Sequence, residues 1–529
     1  MPETRKWTVL VYAVAKRGPE APQATETEMA RPRRVPDTHY LNAKADEIVR
    51  ALKDAAEGLD NIYIAYRIVY DHRDTQRPHY EEPLDYSEPV ARILNPDPAM
   101  RGVERRGWFP ENHNLASDML RFYAWALPRC PAEHHAIFFW GHSLGPAGLF
   151  RSEGRVVLPP TPSLDDVAPL QISDLRDSCR KALVGIYGGG SCDEGAIVEA
   201  DSARSVSKPG SAEPARIDVV LFQSCWMSTL ETAFQLKDSV RYVVASQSLM
   251  PFGYPENDPD PIRPPSPRPG QGVWPYRKLF DVLTRWDGGA DPPTGLVKVL
   301  RDHYEGPPMR VNGDVTIPEV WPFATVPLSL LDLDAIEREG LADKLGLLIH
   351  AIKGVRGLKA ERGVFMERAS LARCGSAILY PAPNPKKPDL VAGGIALVDL
   401  KTVCGALLNQ NGLDDGDRNA LEQLLSTKLV AAAHEAVDTG FPVFEPRSDG
   451  TNARSKTLTS QGLGFGGVSF FYYPHKDRID AWRERDEYIF PDLKVGFFGE
   501  LVLATEVEKF MRAQGWKSDW VDNLAFDQG

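Results

Sequence analysis

Five short apolar runs punctuate the first 285 residues, at 9–14, 62–69, 136–140, 219–222 and 242–246. Between them lie stretches with apolar residues at helical spacing, at 42–58, 115–127, 172–183 and 227–236. Strands that alternate with helices pair in parallel, because a parallel neighbour needs a long crossover and the crossover helices then cover both sheet faces. The expected fold class is therefore α/β, a three-layer α/β/α sandwich around a mostly parallel central sheet. A chain of 529 residues also has room for more than one domain. We expect a core over 1–300 and a C-terminal α/β region over 301–529 that packs on the core or extends its sheet. In that second region the pattern predicts helices over 331–355 and 418–437 and strands over 376–381, 393–399 and 467–473. Three stretches offer little to bury. Residues 71–111 and 255–272 read as surface insertions, and 199–216 as a flexible, protease-accessible loop.

The net charge of −12 argues against nucleic acid as a partner, because phosphate binding wants a basic surface. The apolar run at 7–15 is too short to span a bilayer and suits a buried first strand, so no membrane is expected. No cleavable leader is recognisable. The 6 cysteines (130, 179, 192, 225, 374 and 404) are spread thinly and do not form a disulfide framework. A cytoplasmic setting is expected.

Two of the strands end on reactive side chains. The run that starts at Ile217 leads into Gln223-Ser224-Cys225-Trp226-Met227, and the run that starts at Ala136 leads into Gly141-His142-Ser143. In open parallel sheets ligands bind at the carboxyl ends of the strands, and a cysteine nucleophile needs a base such as histidine. A helix starting directly after Cys225 is expected to favour the thiolate. A rival reading starts from Gly141-His142-Ser143-Leu144-Gly145, which matches the Gly-x-Ser-x-Gly turn of serine hydrolases with Ser143 as nucleophile. That turn needs a helix straight after the serine, whereas Pro146 and Gly148 follow here. A third reading is a catalytically silent scaffold or binding protein. Cys130, His134 and His135 fit no closed zinc pattern, Gly188-Gly189-Gly190 lacks the residues of a phosphate loop, and no calcium loop is visible. No metal ligand is assigned, and calcium stays open only through dispersed carboxylates.

These residues resemble the clostripain family of cysteine peptidases, relatives of caspases, legumain and gingipain. The similarity begins at Trp7-Thr-Val-Leu-Val-Tyr12, continues through His135-Ala-Ile-Phe-Phe-Trp-Gly-His142 and centres on Phe222-Gln-Ser-Cys225-Trp-Met227. Val243-Val-Ala-Ser-Gln247, Trp274-Pro-Tyr276, Val398-Asp-Leu400 and Gly467-Val-Ser-Phe-Phe-Tyr-Tyr-Pro474 are similar to later blocks of the family. The resemblance implies a caspase-like fold and peptide-bond cleavage, with Cys225 as nucleophile and His142 as general acid/base. The backbone N–H groups of Cys225 and Ser143 would hold the oxyanion, Ser143 standing where the family has glycine. Gln223 stands where the family has an aspartate that selects Arg or Lys, so basic specificity is the expectation that this departure puts in doubt. Gln223, Ser246, Gln247 and Trp274 would line the substrate site, with Asp258, Asp260 or Arg263 as further pocket donors. The partners implied are a protein or peptide substrate and an activating protease or regulatory protein. Maturation by cleavage between the histidine and the cysteine is also implied, with Arg151, Arg155, Arg204 and Lys208 as candidate sites.

Overall fold

The computed structural model describes residues 3–15, 38–70, 90–98, 103–105, 115–143, 170–188, 197–201, 205–208, 214–247, 273–304, 328–345, 397–408, 413–433, 441–444, 455–458 and 466–471, apart from single positions within a few of these ranges. Met100, Gly145, Leu149, Phe150 and Met250 are described as well. The chain forms two compact units: the first comprises 1–224, 238–242 and 251–299, the second 225–237, 243–250 and 300–529.

The first unit is built on β1 (Arg5–Val14), which pairs in parallel with β2 (Ile62–Val69) on one side and β5 (Ala132–Trp140) on the other. β6 (Ile217–Gln223) extends the parallel set beyond β5, with Ala136 opposite Val219 and Trp140 opposite Gln223. β2 and β6 are buried along their whole length, as near-continuous apolar runs in a parallel sheet covered on both faces should be. On the far side β3 (Val90–Ile93) and β4 (Glu104–Arg105) add an antiparallel edge. The charged 71–111 stretch, expected to be a surface insertion, thus supplies two strands.

Side chains alternate across β5 and bind a helical layer to each face. Phe138 meets Trp274, Tyr276 and Phe280, so it faces the helix α5 (Tyr276–Arg285). Phe139 turns the other way, onto Tyr12, Phe150 and Phe222. Tyr12 in turn meets Phe122 of α2 (Leu115–Ala126). α1 (Thr38–Ala56) packs with α5, and α2 with α3 (Ile172–Tyr187), which gives the three layers. The α2 layer is registered by a fully buried ion pair, Arg67 of β2 with Asp118 of α2 at 2.5 Å, to which the Tyr12 hydroxyl donates at 2.7 Å. Such a pair is costly to desolvate and far costlier to break by removing one partner, so it specifies this docking more than it stabilises it.

The second unit holds α4 (Leu230–Leu236), the end of β7 (Val240–Ser246) and, in hydrogen-bonded order after it, β8 (Leu328–Asp332) and β10 (Val430–Ala433). β9 (Leu397–Asp399) pairs antiparallel with β13 (Ser469–Phe471), and β11 (Phe441–Phe444) with β12 (Ser455–Leu458). The helix α6 (Gly295–Tyr304) runs from one unit into the other, followed by α7 (Asp334–Arg338), α8 (Leu400–Leu408) and α9 (Asp415–Leu425). Two helical expectations hold in part among the described residues. The stretch read as helix from 331 opens with the end of β8 and turns helical at Asp334, and the stretch from 418 is helical to Leu425 in α9 and then forms β10. Pairing of Val430–Ala433 with β8 overrides the helix preference of its three alanines. The strand expected at 376–381 and the 255–272 stretch lie outside the described residues.

Candidate active site

β5 and β6 end level, and the N–H of Gly141 donates to the carbonyl of Gln223 at 3.4 Å. Gly141 has φ +147°, and a Cβ there would stand 2.7 Å from the carbonyl oxygen of Val14 and 2.8 Å from the Phe150 ring. Only glycine fits this turn. The half-buried His142 follows, its carbonyl accepting from the N–H of Phe150 at 2.6 Å. Phe150 adopts a left-handed φ of +61° to make that bond. Ser143 is buried and bridges Leu149, which pairs with Leu170. Ser143 is paired antiparallel and Gly145 is left-handed at φ +60°, so these described residues do not continue from Ser143 as the α-helix that aims the hydroxyl in a serine-hydrolase turn.

Gln223 and Trp274, read as substrate-site residues, are 1% and 2% exposed, and Trp274 packs on Phe138. Lys208 is tethered by its ammonium, which lies 3.3 Å from Asp218 of β6. The N–H of Ala215 also donates to the Val206 carbonyl at 2.7 Å and Ser207 bridges Pro214, so these described positions of the expected flexible loop at 199–216 are paired, while 202–204 and 209–213 lie outside the described residues. Arg151, Arg155, Arg204, Asp258, Asp260 and Arg263 lie outside the described residues.

Cys225 belongs to the second unit, in the turn between β6 and α4. The helix was expected to start directly after it. Instead α4 begins at Leu230, capped by the Thr229 hydroxyl, which accepts from the Thr232 N–H at 3.1 Å. The thiol therefore does not sit on a helix N-terminus. An amide reaches it instead: the N–H of Met250 points at the Cys225 sulfur at 3.3 Å. A donor aimed at sulfur favours the charged form. Burial pushes the thiols of Cys130 and Cys179 up to about 12. Burial also raises Cys404 strongly. These three are inert by environment.

Trp226, next in the turn, has φ +53°, a strained backbone for a bulky residue. The turn is held from both sides. Ser228 donates its N–H to the Ser246 carbonyl at 3.0 Å and accepts at its own carbonyl from the N–H of Ser469 at 2.9 Å. The hydroxyls of Ser228 and Ser329 converge on the carbonyl of Gly467 at 2.6 and 2.5 Å. The amide of Gln247 donates to Asp399 at 2.8 Å and to Ser469 at 3.0 Å, while its oxygen accepts from Gly467 N–H at 3.0 Å. Gln247, Asp399 and Ser469 are all fully buried. Gln247, Asp399, Gly467 and Ser469, from blocks separate in sequence, thus form one polar cluster around the cysteine turn. Sequence reasoning named Ser246 and Gln247 but missed Ser228, Ser329 and the role of Asp399.

Among the described residues no group of three or more His, Cys, Asp or Glu side chains is placed to hold a metal ion. No helix among them is long and apolar enough to cross a membrane.

The sequence profile of the clostripain family matches residues 204–256, a segment that contains Gln223, Cys225, Ser246 and Gln247. No curated protein matches the chain. Among solved structures, the chain is similar to a secreted C11 cysteine protease from Bacteroides thetaiotaomicron in complex with an irreversible peptide inhibitor. That likeness has 13% identity and a TM-score of 0.47, over 95% of this chain and 99% of the other. It is also similar to an inactive zymogen C11 protease from Parabacteroides distasonis, at 13% identity and a TM-score of 0.42, over 92% of this chain and 97% of that one.

Proposed function

We propose that this chain is a cysteine endopeptidase, with Cys225 as nucleophile and His142 as general acid/base, that cuts after Arg or Lys and is activated by processing or by a partner. The observation that carries the reading is the family match over 204–256, which falls on the one described cysteine turn with an amide donor at its sulfur. In this reading the Cys225 thiolate attacks the scissile carbonyl carbon, and the tetrahedral oxyanion is held by the N–H groups of Cys225 and Ser143. Collapse breaks the C–N bond while His142 passes a proton to the leaving amine. His142 then takes a proton from water, which cleaves the thioester and restores the thiol.

The basic preference rests on the resemblance alone. Gln223 is neutral, so a carboxylate elsewhere, with Asp258 and Asp260 as candidates, would have to pair with the substrate guanidinium. Cleavage of a diversified peptide library by wild type and Cys225→Ala tests the proposal, with mass spectrometry identifying the cut. Cleavage after Arg or Lys that vanishes in Cys225→Ala is the expected result. Cleavage that survives in Cys225→Ala sinks the nucleophile assignment, and cuts after other residues sink the specificity. Silence from wild type, before and after limited trypsin treatment, favours a scaffold.

A further inference from the structure

We infer that Gln247 and Asp399 are positioning residues that hold the Cys225 turn in its reactive shape, and that Gln247 acts there rather than as a substrate contact. The inference rests on the reading of Cys225 as nucleophile. Three observations lead to it, all within the second unit.

Trp226 is left-handed, and a bulky residue persists at such a φ only where the surroundings over-determine it. The turn cannot do this alone, since α4 starts four residues later. What over-determines it is β13, which takes the Ser228 carbonyl through Ser469 N–H and bridges Thr229 in parallel. β13 is in turn fixed by Gln247, whose amide oxygen and nitrogen are both committed, to Gly467 on one side and to Ser469 and Asp399 on the other.

Asp399 is the anchor of this chain of contacts. Its Oδ2 accepts from both the Gln247 amide and the N–H of Gly466, at 2.8 and 2.6 Å, with no exposure to water. Charge-assisted bonds in a dry site are the stronger kind, and a donor left without its acceptor there is costly. Gln247 therefore holds its rotamer, β13 holds its place, and the turn keeps Cys225 under the Met250 amide, which lies three residues beyond Gln247 on the same segment. A substrate reaching Gln247 would have to break this set of bonds first.

The variants Gln247→Leu and Asp399→Asn separate positioning from bulk stability. Leucine keeps the volume but makes none of the three bonds. Asparagine can offer its carbonyl oxygen at the Oδ2 position and keep both. The primary readout is the second-order rate of Cys225 alkylation by iodoacetamide, which does not depend on the protein being a peptidase. Gln247→Leu is expected to lower that rate at least tenfold, and to lower kcat by a similar factor with KM within about threefold, while Asp399→Asn, which keeps the acceptor and gives up the charge, is expected to fall between Gln247→Leu and wild type. A folded Gln247→Leu protein that alkylates at the wild-type rate overturns the inference. A KM effect without a kcat or alkylation effect also overturns it, since it makes Gln247 a substrate contact after all. Should Gln247→Leu fail to fold, Ser469→Ala decides. It removes one of the amide's partners, and an alkylation rate equal to wild type then overturns the inference, while a several-fold loss supports it. Alkylation that follows the expected pattern while wild type cleaves no peptide would leave the positioning role standing and remove the peptidase reading.

Discussion

The two ends of the β5–β6 pair carry histidines under opposite constraints. At the N-terminal end, His134 and His135 stand beside Asp218 of β6. The Asp218 carboxylate is engaged by the His134 ring at 3.2 Å, by the N–H of His135 at 2.8 Å and by the Lys208 ammonium at 3.3 Å. The His134 ring lies 5.0 Å from that of Trp7, and Gly288 closes against it with φ +73°, where any Cβ would collide. Here the Asp218 carboxylate gathers a ring, a main-chain amide and an ammonium, and clamps the strands. At the C-terminal end, main-chain geometry is what is fixed: Gly141 turns where no other residue fits, and the Phe150 N–H locks the carbonyl of His142. A histidine next to a carboxylate is thus the structural one here, and a histidine on a constrained loop is the candidate for chemistry.

The largest expected effects test that contrast directly. His142→Ala and Cys225→Ala should each lower peptide cleavage on the order of 10⁴-fold or more and leave thermal melting nearly unmoved. Asp218→Ala should do the reverse. It strands His134, Lys208 and a backbone donor, and should cost about 3 kcal/mol in denaturant unfolding with turnover per folded molecule within about threefold. A folded Asp218→Ala protein that has lost activity would erase the distinction between the two ends.

A second test uses pH. Burial, partly opposed by Asp218, lowers His135 to about 4, so the folded state keeps it neutral. The ordinary value is 6.5, so the unfolded chain binds the proton first as pH falls. The stabilisation is intact above 6.5 and is lost between 6.5 and about 4, amounting to roughly 3 kcal/mol. For Asp218, burial alone would raise the carboxyl. The His134 hydrogen bond, the Lys208 and His134 charges and the His135 N–H outweigh it and leave the carboxyl below its ordinary value. Its share is therefore present above the carboxylate range and disappears only at lower pH. Urea unfolding of His135→Leu should show a flat stability between pH 6.5 and 4.5 where wild type declines. Equal slopes would mean His135 is not buried neutral. A smaller effect, about 1–3 kcal/mol, is expected from Gly141→Ala, since alanine would have to leave φ +147° or push Phe150 aside. Because that strain sits beside His142, kcat should fall along with stability.

The strands were legible because each is a buried run bounded by polar chain, and the reactive residues because they end two such runs. The helix expected at Cys225 was not there, since Thr229 rather than the cysteine carries the capping hydroxyl, and only the Thr229–Thr232 spacing hinted at it. β10 was read as helix because an alanine run has no strand signature until β8 supplies a partner. Asp399 and Ser469 appeared only as parts of resembling blocks. Their convergence on Gln247 depends on pairing between segments some 70 residues apart, which no local pattern encodes.

The smallest expected effect concerns Lys208, where the N-terminal clamp meets the candidate maturation segment. Its side chain is 27% exposed and its ion pair with Asp218 is solvent-screened, so Lys208→Ala should cost under about 1 kcal/mol. The same tether should nevertheless shield the Lys208 amine. A reagent that acylates lysine must first draw the ammonium away from Asp218 and from the Glu133 carbonyl, which it also reaches at 3.3 Å. Asp218→Asn keeps the shape and removes the charge, so acetic anhydride should acetylate Lys208 faster in that variant, read by mass spectrometry. The gain is bounded by the worth of the pair, at most about fivefold for 1 kcal/mol. Normalising to lysines elsewhere in the chain separates release of the tether from general unfolding. An unchanged normalised rate would mean that the Lys208 amine is open to solvent regardless of Asp218, and that the clamp at this end of the sheet holds strands and nothing more.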